Sequence, residues 1–185
     1  MNCNRQTCFL AAVLTCITAS AQGSEQGSEQ GSSDPTLVEV SIVSSMDGTE
    51  QPNRVYLPDS SGRKPLLVFL HSWSHGFEQD NTRWLKLAKQ RGWAFLQPNF
   101  RGKNNRPEAC GSELARQDIL DAIKYVLVKT EIDRSRIYLA GTSGGGHMSM
   151  LMASYYPDKF SAVSSWVGIS DLEKWHASVV DCWLC

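Results

Sequence analysis

Residues 141–145 read Gly-Thr-Ser-Gly-Gly, set between the apolar run 137–140 (Ile-Tyr-Leu-Ala) and a stretch that continues at helical spacing. Gly-x-Ser-x-Gly in that setting is the pattern of a nucleophile elbow, a sharp strand-to-helix turn that lifts a serine oxygen above a sheet. The chemistry on offer is acyl transfer, in which Ser143 attacks a carbonyl and holds the acyl group covalently. That step needs hydrogen-bond donors for the oxyanion. The N–H of Gly144 is one, because the first amides of a helix have no intrahelical acceptor and sit at its positive end. The second is expected from the loop after the apolar run 66–70, through the backbone N–H of Ser72 or Trp73.

A serine hydroxyl also needs a base to take its proton, so the four histidines matter. His147 follows Ser143 by one helical turn and reads as a packing residue, with the base as its other reading. His71 ends an apolar run and reads as shaping the oxyanion loop. His75 lies in the following loop, where it either overhangs the site as a substrate contact or is solvated. His176 alone lies beyond the last readable strand. Asp171, just past that strand, reads either as the acid of a triad or as a helix cap. Arg101, Asn104 and Asn105 lie in the loop after the run 93–97, at the expected rim of the pocket, with Arg101 a candidate substrate contact. Trp166 and Trp175 either line an acyl pocket or pack in the interior.

These residues depend on the elements that hold them. Residues 36–43 alternate as a strand, a turn falls around Asp47-Gly48, and residues 53–57 resume, which together read as a β-hairpin. Residues 65–71 (PLLVFLH) and 93–97 (WAFLQ) are continuous apolar runs, as expected of strands buried on both faces. A helix is predicted over 81–91. A second runs from a Ser112 cap to about Lys129, with Ala115, Ile119, Ala122, Ile123 and Val126 on one stripe. A third follows Ser143 until Pro157, and residues 161–168 form the last strand. A hairpin followed by β-α-β-α-β-α-β means an α/β fold, a mostly parallel sheet covered by helices on both faces. Sites in such sheets lie at the carboxyl ends of the strands, where His71, Asn99, Ser143 and Asp171 all fall.

Composition narrows the class. The 185 residues, 42% hydrophobic and 20% charged, suit one globular domain. A formal net charge of -1 gives no reason to expect a nucleic-acid partner. Arg5, the apolar stretch 8–17, itself too short to span a bilayer, and Ala19-Ser20-Ala21 have the layout of a secretory signal peptide over 1–21 that leaves no membrane span after processing, with an uncleaved apolar anchor or a lipidated Cys16 as the other readings. Residues 22–35, dominated by the repeat GSEQGSEQGSSD, read as a solvated linker, and the folded domain as 36–185. In an oxidising compartment Cys110 is placed to pair with Cys182 or Cys185. The Cys-x-x-Cys at 182–185 has no second pair, and no spacing in the chain implies a metal or an organic cofactor. Nothing in the sequence speaks to oligomeric state.

Three stretches carry a family resemblance: LLVFLHSW at 66–73, PNFRG at 98–102, and RIYLAGTSGGGHMSMLMASYYPDKFSAVSSWVGISDL at 136–172. Across roughly residues 53–175 the chain resembles the α/β-hydrolase superfamily, in its prolyl oligopeptidase-like and dienelactone hydrolase-like branch. The resemblance implies an eight-stranded, mostly parallel sheet, an ester or peptide substrate, and a Ser-Asp-His triad in that chain order with Ser143 as nucleophile. In that family the acid follows the seventh strand and the histidine the eighth. Six strands are readable here, so the chain is expected to hold the N-terminal two-thirds of such a domain, a truncated or partial catalytic unit. The rival expectation is a hydrolase-like domain without catalysis.

Overall fold

In the computed structural model, which describes residues 36–183 with side chains as far as Ser178, Val38–Val43 (β1) and Glu50–Tyr56 (β2) form the expected antiparallel hairpin. Its turn closes on Asp47, whose carboxylate accepts the Thr49 N–H at 3.1 Å and the Thr49 hydroxyl at 2.8 Å. The leader reading of 1–21, the linker reading of 22–35 and the side chains of Cys182 and Cys185 lie outside the described residues.

The remaining elements alternate. They are Lys64–Leu70 (β3), Thr82–Gln90 (α1), Ala94–Pro98 (β4), Glu113–Lys129 (α2), Ile132–Thr142 (β5), Gly144–Tyr155 (α3), Ala162–Trp166 (β6) and Leu172–Trp183 (α4). The six strands lie in the order β1-β2-β4-β3-β5-β6, with β2 antiparallel to β4 and the last four parallel. β3 is buried along its whole length, and its alternation divides the core. Leu66, Val68 and Leu70 pack with Ala115, Ile119 and Val126 of α2 and with Met148 and Met152 of α3. Leu67 and Phe69 face the other way, onto Leu85 and Ala88 of α1. Ser112 caps α2 by accepting the Ala115 N–H at 3.0 Å, and the predicted stripe of that helix is buried.

Two differences from the sequence expectations have local causes. β5 begins at Ile132 rather than 137, because Ile132 pairs with Lys64 before a register shift brings Ile137 opposite Leu66. The residues between are held by the Asp133 carboxylate, which accepts the Ser135 N–H at 3.0 Å and pairs with Arg136 at 2.7 Å. α4, for which the sequence offered only the cap reading of Asp171, runs over Leu172–Trp183. Asp171 starts it by accepting the Lys174 N–H at 3.0 Å, the geometry of an N-cap. No described helix is long and apolar enough to cross a membrane.

Arg101 joins the hairpin to the centre of the fold. Its guanidinium lies 2.6 Å from Asp118 of α2 and 2.7 Å from Asp47 of the β1–β2 turn, and it also donates to Ser44 at 3.1 Å. Arg101 and Asp118 are almost wholly buried, with side chains 6% and 1% exposed. A charge so enclosed is tolerated only while its partner is present. Asp118→Ala is expected to cost about 1–3 kcal/mol of stability in urea denaturation, since it leaves the Nε–H of the buried guanidinium without its acceptor while Asp47 still balances the charge. Asp47→Ala, on the more exposed side of Arg101, is expected to cost clearly less.

Candidate active site

Ser143 sits between β5 and α3 at φ 56°, ψ -115°, a backbone region that side chains strain to occupy. Its N–H donates to the Trp166 carbonyl at 2.8 Å, which ties the turn to the end of β6. Among the described residues the other non-glycine positions with positive φ are Phe100 (33°), Arg101 (76°) and Val167 (45°). All four stand at or just past the carboxyl ends of β4, β5 and β6, the edge at which sites in parallel sheets form. Strain of this kind collects at functional sites and is held by the surrounding contacts.

The glycines after the serine are required by close approach. A Cβ on Gly145 would collide with the Leu70 carbonyl oxygen at the end of β3. One on Gly144 would lie 2.6 Å from the Trp73 backbone nitrogen. The oxyanion loop therefore rests directly on the first residue of α3, and the Trp73 and Gly144 amides lie side by side beside Ser143.

The structure separates the two loop candidates. The Ser72 N–H donates to Gln79 Oε1 at 2.7 Å, and the Ser72 hydroxyl donates to the same oxygen at 2.7 Å. Ser72 is thus corrected as an oxyanion donor, since its amide is consumed within the loop. The Trp73 carbonyl accepts the Asn104 N–H at 2.8 Å, whereas no described group accepts the Trp73 N–H.

Other expected site residues are dispersed. Arg101 is corrected as a substrate contact, because its guanidinium is spent on Asp118, Asp47 and Ser44. His71 is fully buried, stacked on Phe100 at 3.9 Å, with Nε2 2.7 Å from the Asn99 carbonyl and Nδ1 3.0 Å from the Ser72 carbonyl. His147 is buried and its Nδ1 lies 2.7 Å from the Ile169 carbonyl, so it pins the loop after β6. His75 and His176 are exposed. Asp171 is engaged as the cap of α4, and the Lys174 N–H followed by the Lys174 ammonium holds its carboxyl below the usual carboxylate range. Asn104 is buried and Asn105 exposed. Cys110 is half-buried, and burial pushes its thiol up. Among the described residues no three His, Cys, Asp or Glu side chains gather as a metal-binding group.

An open depression of about 640 Å³ lies over Ser143, lined by Val167, Ile169, Asp171, Trp175 and Ser178 among others. The Trp175 ring meets the Trp73 ring at 5.0 Å, so an indole of α4 leans on the oxyanion loop. Trp166 lines no part of it, and packs edge-on against Trp84 at 5.8 Å. Sequence reasoning missed Gln79, Asp118 and the part played by α4. The only sequence signal for α4 was Asp171 at cap spacing ahead of a charged first turn.

Comparison with known proteins places this geometry. The model of the prolyl oligopeptidase family matches residues 78–183. Feruloyl esterase B of Neurospora crassa is 32% identical over 133 residues, covering 62% of this chain and 43% of that protein. An acetylxylan esterase of Coprinopsis cinerea is 40% identical over 133 residues, covering 62% of this chain and 34% of its own length. The chain thus spans less than half the length of these two relatives. Among solved structures, the acylaminoacyl peptidase of Pyrococcus horikoshii superposes with a TM-score of 0.60 at 27% identity, over 72% of this chain and 23% of that one. A thermostable esterase superposes with a TM-score of 0.61 at 22% identity, over 75% and 42%. The fold is the α/β-hydrolase fold, with six strands among the described residues.

The buried His71 has a consequence for acid stability. Burial holds its pKa below the ordinary 6.5, against the opposing pull of the two carbonyls it faces. Between the folded-state value and 6.5 the unfolded chain binds a proton that the folded chain does not. Stability from this group is therefore complete above pH 6.5 and lost as pH falls below it. Urea denaturation between pH 7.5 and 5.5 should show stability falling below 6.5 by at most about 1.4 kcal/mol per pH unit. His71→Gln should flatten that limb, and an unchanged slope in the variant would assign it to another group.

Proposed function

Since the chain belongs to the prolyl oligopeptidase family, we propose that it is an exported serine hydrolase that cleaves carboxylic esters through an acyl-enzyme on Ser143. The observation that carries the proposal is the meeting of Ser143, in its left-handed turn, with the open N–H donors of Trp73 and Gly144. The Ser143 oxygen attacks the ester carbonyl, and the developing oxyanion accepts hydrogen bonds from those two amides. The bond to the alcohol then breaks, the alcohol leaves with a proton, and water hydrolyses the acyl-enzyme to free Ser143.

The proton must pass to a base. The His71 and His147 rings are held by carbonyl oxygens, and Asp171 is occupied as a helix cap. The rings of His75 and His176 are exposed and make no described hydrogen bond to Ser143, and we assign acid and base in the Ser-Asp-His order that the family resemblance implies. Esters are preferred to peptides because the two curated relatives described above are esterases, and Val167, Ile169 and Trp175 offer an apolar wall to an acyl group. Export is supported by the layout of residues 1–21. A non-catalytic reading draws on one observation: among the described residues no histidine or carboxylate is hydrogen bonded to the Ser143 hydroxyl.

A fluorophosphonate distinguishes the readings when applied to the protein expressed from its own locus. Labelling is expected on the peptide containing Ser143 and is expected to vanish in Ser143→Ala. Turnover of p-nitrophenyl acetate should exceed that of a proline-containing peptide anilide, and the reverse order would make the protein a peptidase. Well-folded protein with neither label nor turnover would establish the non-catalytic reading.

A further inference from the structure

We propose that Gln79 is a positioning residue for the oxyanion site, clamping Ser72 so that the adjacent Trp73 N–H is the donor left facing the substrate. This rests on the reading of Ser143 as the nucleophile. The clamp has one orientation. A backbone N–H can only donate, so the Gln79 side chain must present its oxygen to Ser72, and its Nε2 then donates to Asn81 Oδ1 at 3.1 Å.

Gln79 is itself anchored in the sheet. Its carbonyl accepts Gln97 Nε2 at 2.7 Å, and Gln97, on β4, is 1% exposed. The same Nε2 donates to the Phe77 carbonyl at 2.6 Å, so the whole segment 77–79 is fixed to that strand. The Gln79 N–H donates to the Gly76 carbonyl at 3.1 Å, which closes the turn.

The effect on Trp73 follows from peptide geometry. The Trp73 N–H shares a rigid plane with the Ser72 carbonyl and points the opposite way across a trans bond. The Ser72 carbonyl accepts the His75 N–H at 3.2 Å and lies 3.0 Å from His71 Nδ1. On the far side of Trp73, its carbonyl is fixed by the Asn104 N–H at 2.8 Å. With the Ser72 amide and hydroxyl taken by Gln79, every other polar group flanking this plane has a partner. The open Trp73 N–H then projects at the start of α3, where Gly144 leaves room for it. Without the Gln79 side chain, the Ser72 N–H becomes a second unclaimed donor and Ser72 loses its link to segment 77–79, which Gln97 holds to β4.

The test is Gln79→Met, which keeps the length of the side chain and removes its acceptor, assayed on p-nitrophenyl acetate. A donor present but mispositioned weakens transition-state binding more than ground-state binding, so kcat should fall at least about tenfold. KM should stay within about twofold, and the thermal midpoint within about 4 °C. Amide exchange of Ser72 should quicken in the variant while the amides of α3 keep their protection. An unchanged kcat beside an active wild type overturns the proposal, as does a joint shift of kcat, KM and midpoint. A wild type with neither turnover nor fluorophosphonate labelling overturns the reading of Ser143 instead. In that case Ser72 exchange still decides the clamp: equal rates in both proteins refute it.

Discussion

Helix α3 begins directly above the carboxyl end of β3 because positions 144 and 145 carry no side chain. A Cβ at 145 would strike the Leu70 carbonyl, and one at 144 would displace the Trp73 amide. That approach sets the rest of the site. With the helix start so low over the sheet, the chain leaving β5 must turn within one residue, and Ser143 takes the left-handed backbone that such a turn demands. The Gly144 and Trp73 amides are neighbours for the same reason. The sheet order makes it possible, since β3 and β5 are adjacent only because β4 inserts on the far side of β3.

Around this contact lies a polar frame that reaches well beyond the elbow. Gln51 Oε1 accepts the Arg101 N–H and the Asn99 side-chain amide, each at 3.1 Å, so the hairpin meets the loop after β4 through one buried oxygen. Phe100 and Arg101 both hold positive φ, and each is fixed by a side chain: Phe100 by its stack on His71, Arg101 by its paired carboxylates. The strained backbone on the β4 side therefore supports the same loop that approaches α3 from the β3 side. Polar groups this deep are tolerated only when satisfied, which gives the loops one arrangement rather than several.

Much of this was legible in the sequence, for reasons that can be named. The run 65–71 reads as a strand buried on both faces because its alternate residues serve two cores, and the two clusters divide it that way. The Gly-x-Ser-x-Gly turn is visible because steric exclusion leaves glycine no substitute. Arg101 was not legible as a buried anchor. It sits among Gly102, Lys103 and Asn104 in what reads as a solvated loop, and its partners are 17 and 54 residues away. Gln79 was hidden likewise, since an amide seven residues from its partner leaves no periodic trace. β5 was read short because Asp133 and Ser135 look like turn residues, and locally they are.

The contact between Trp73 and Trp175 gives the molecule an optical signature. Two indoles with centroids 5.0 Å apart and planes inclined at 48° are close enough for their electronic transitions to couple. One ring belongs to the loop between β3 and α1, the other to α4. Their shared near-ultraviolet dichroism therefore depends on the relative placement of two segments a hundred residues apart in the chain. A change in that band with the far-ultraviolet spectrum intact marks displacement of the loop against α4, not loss of the sheet.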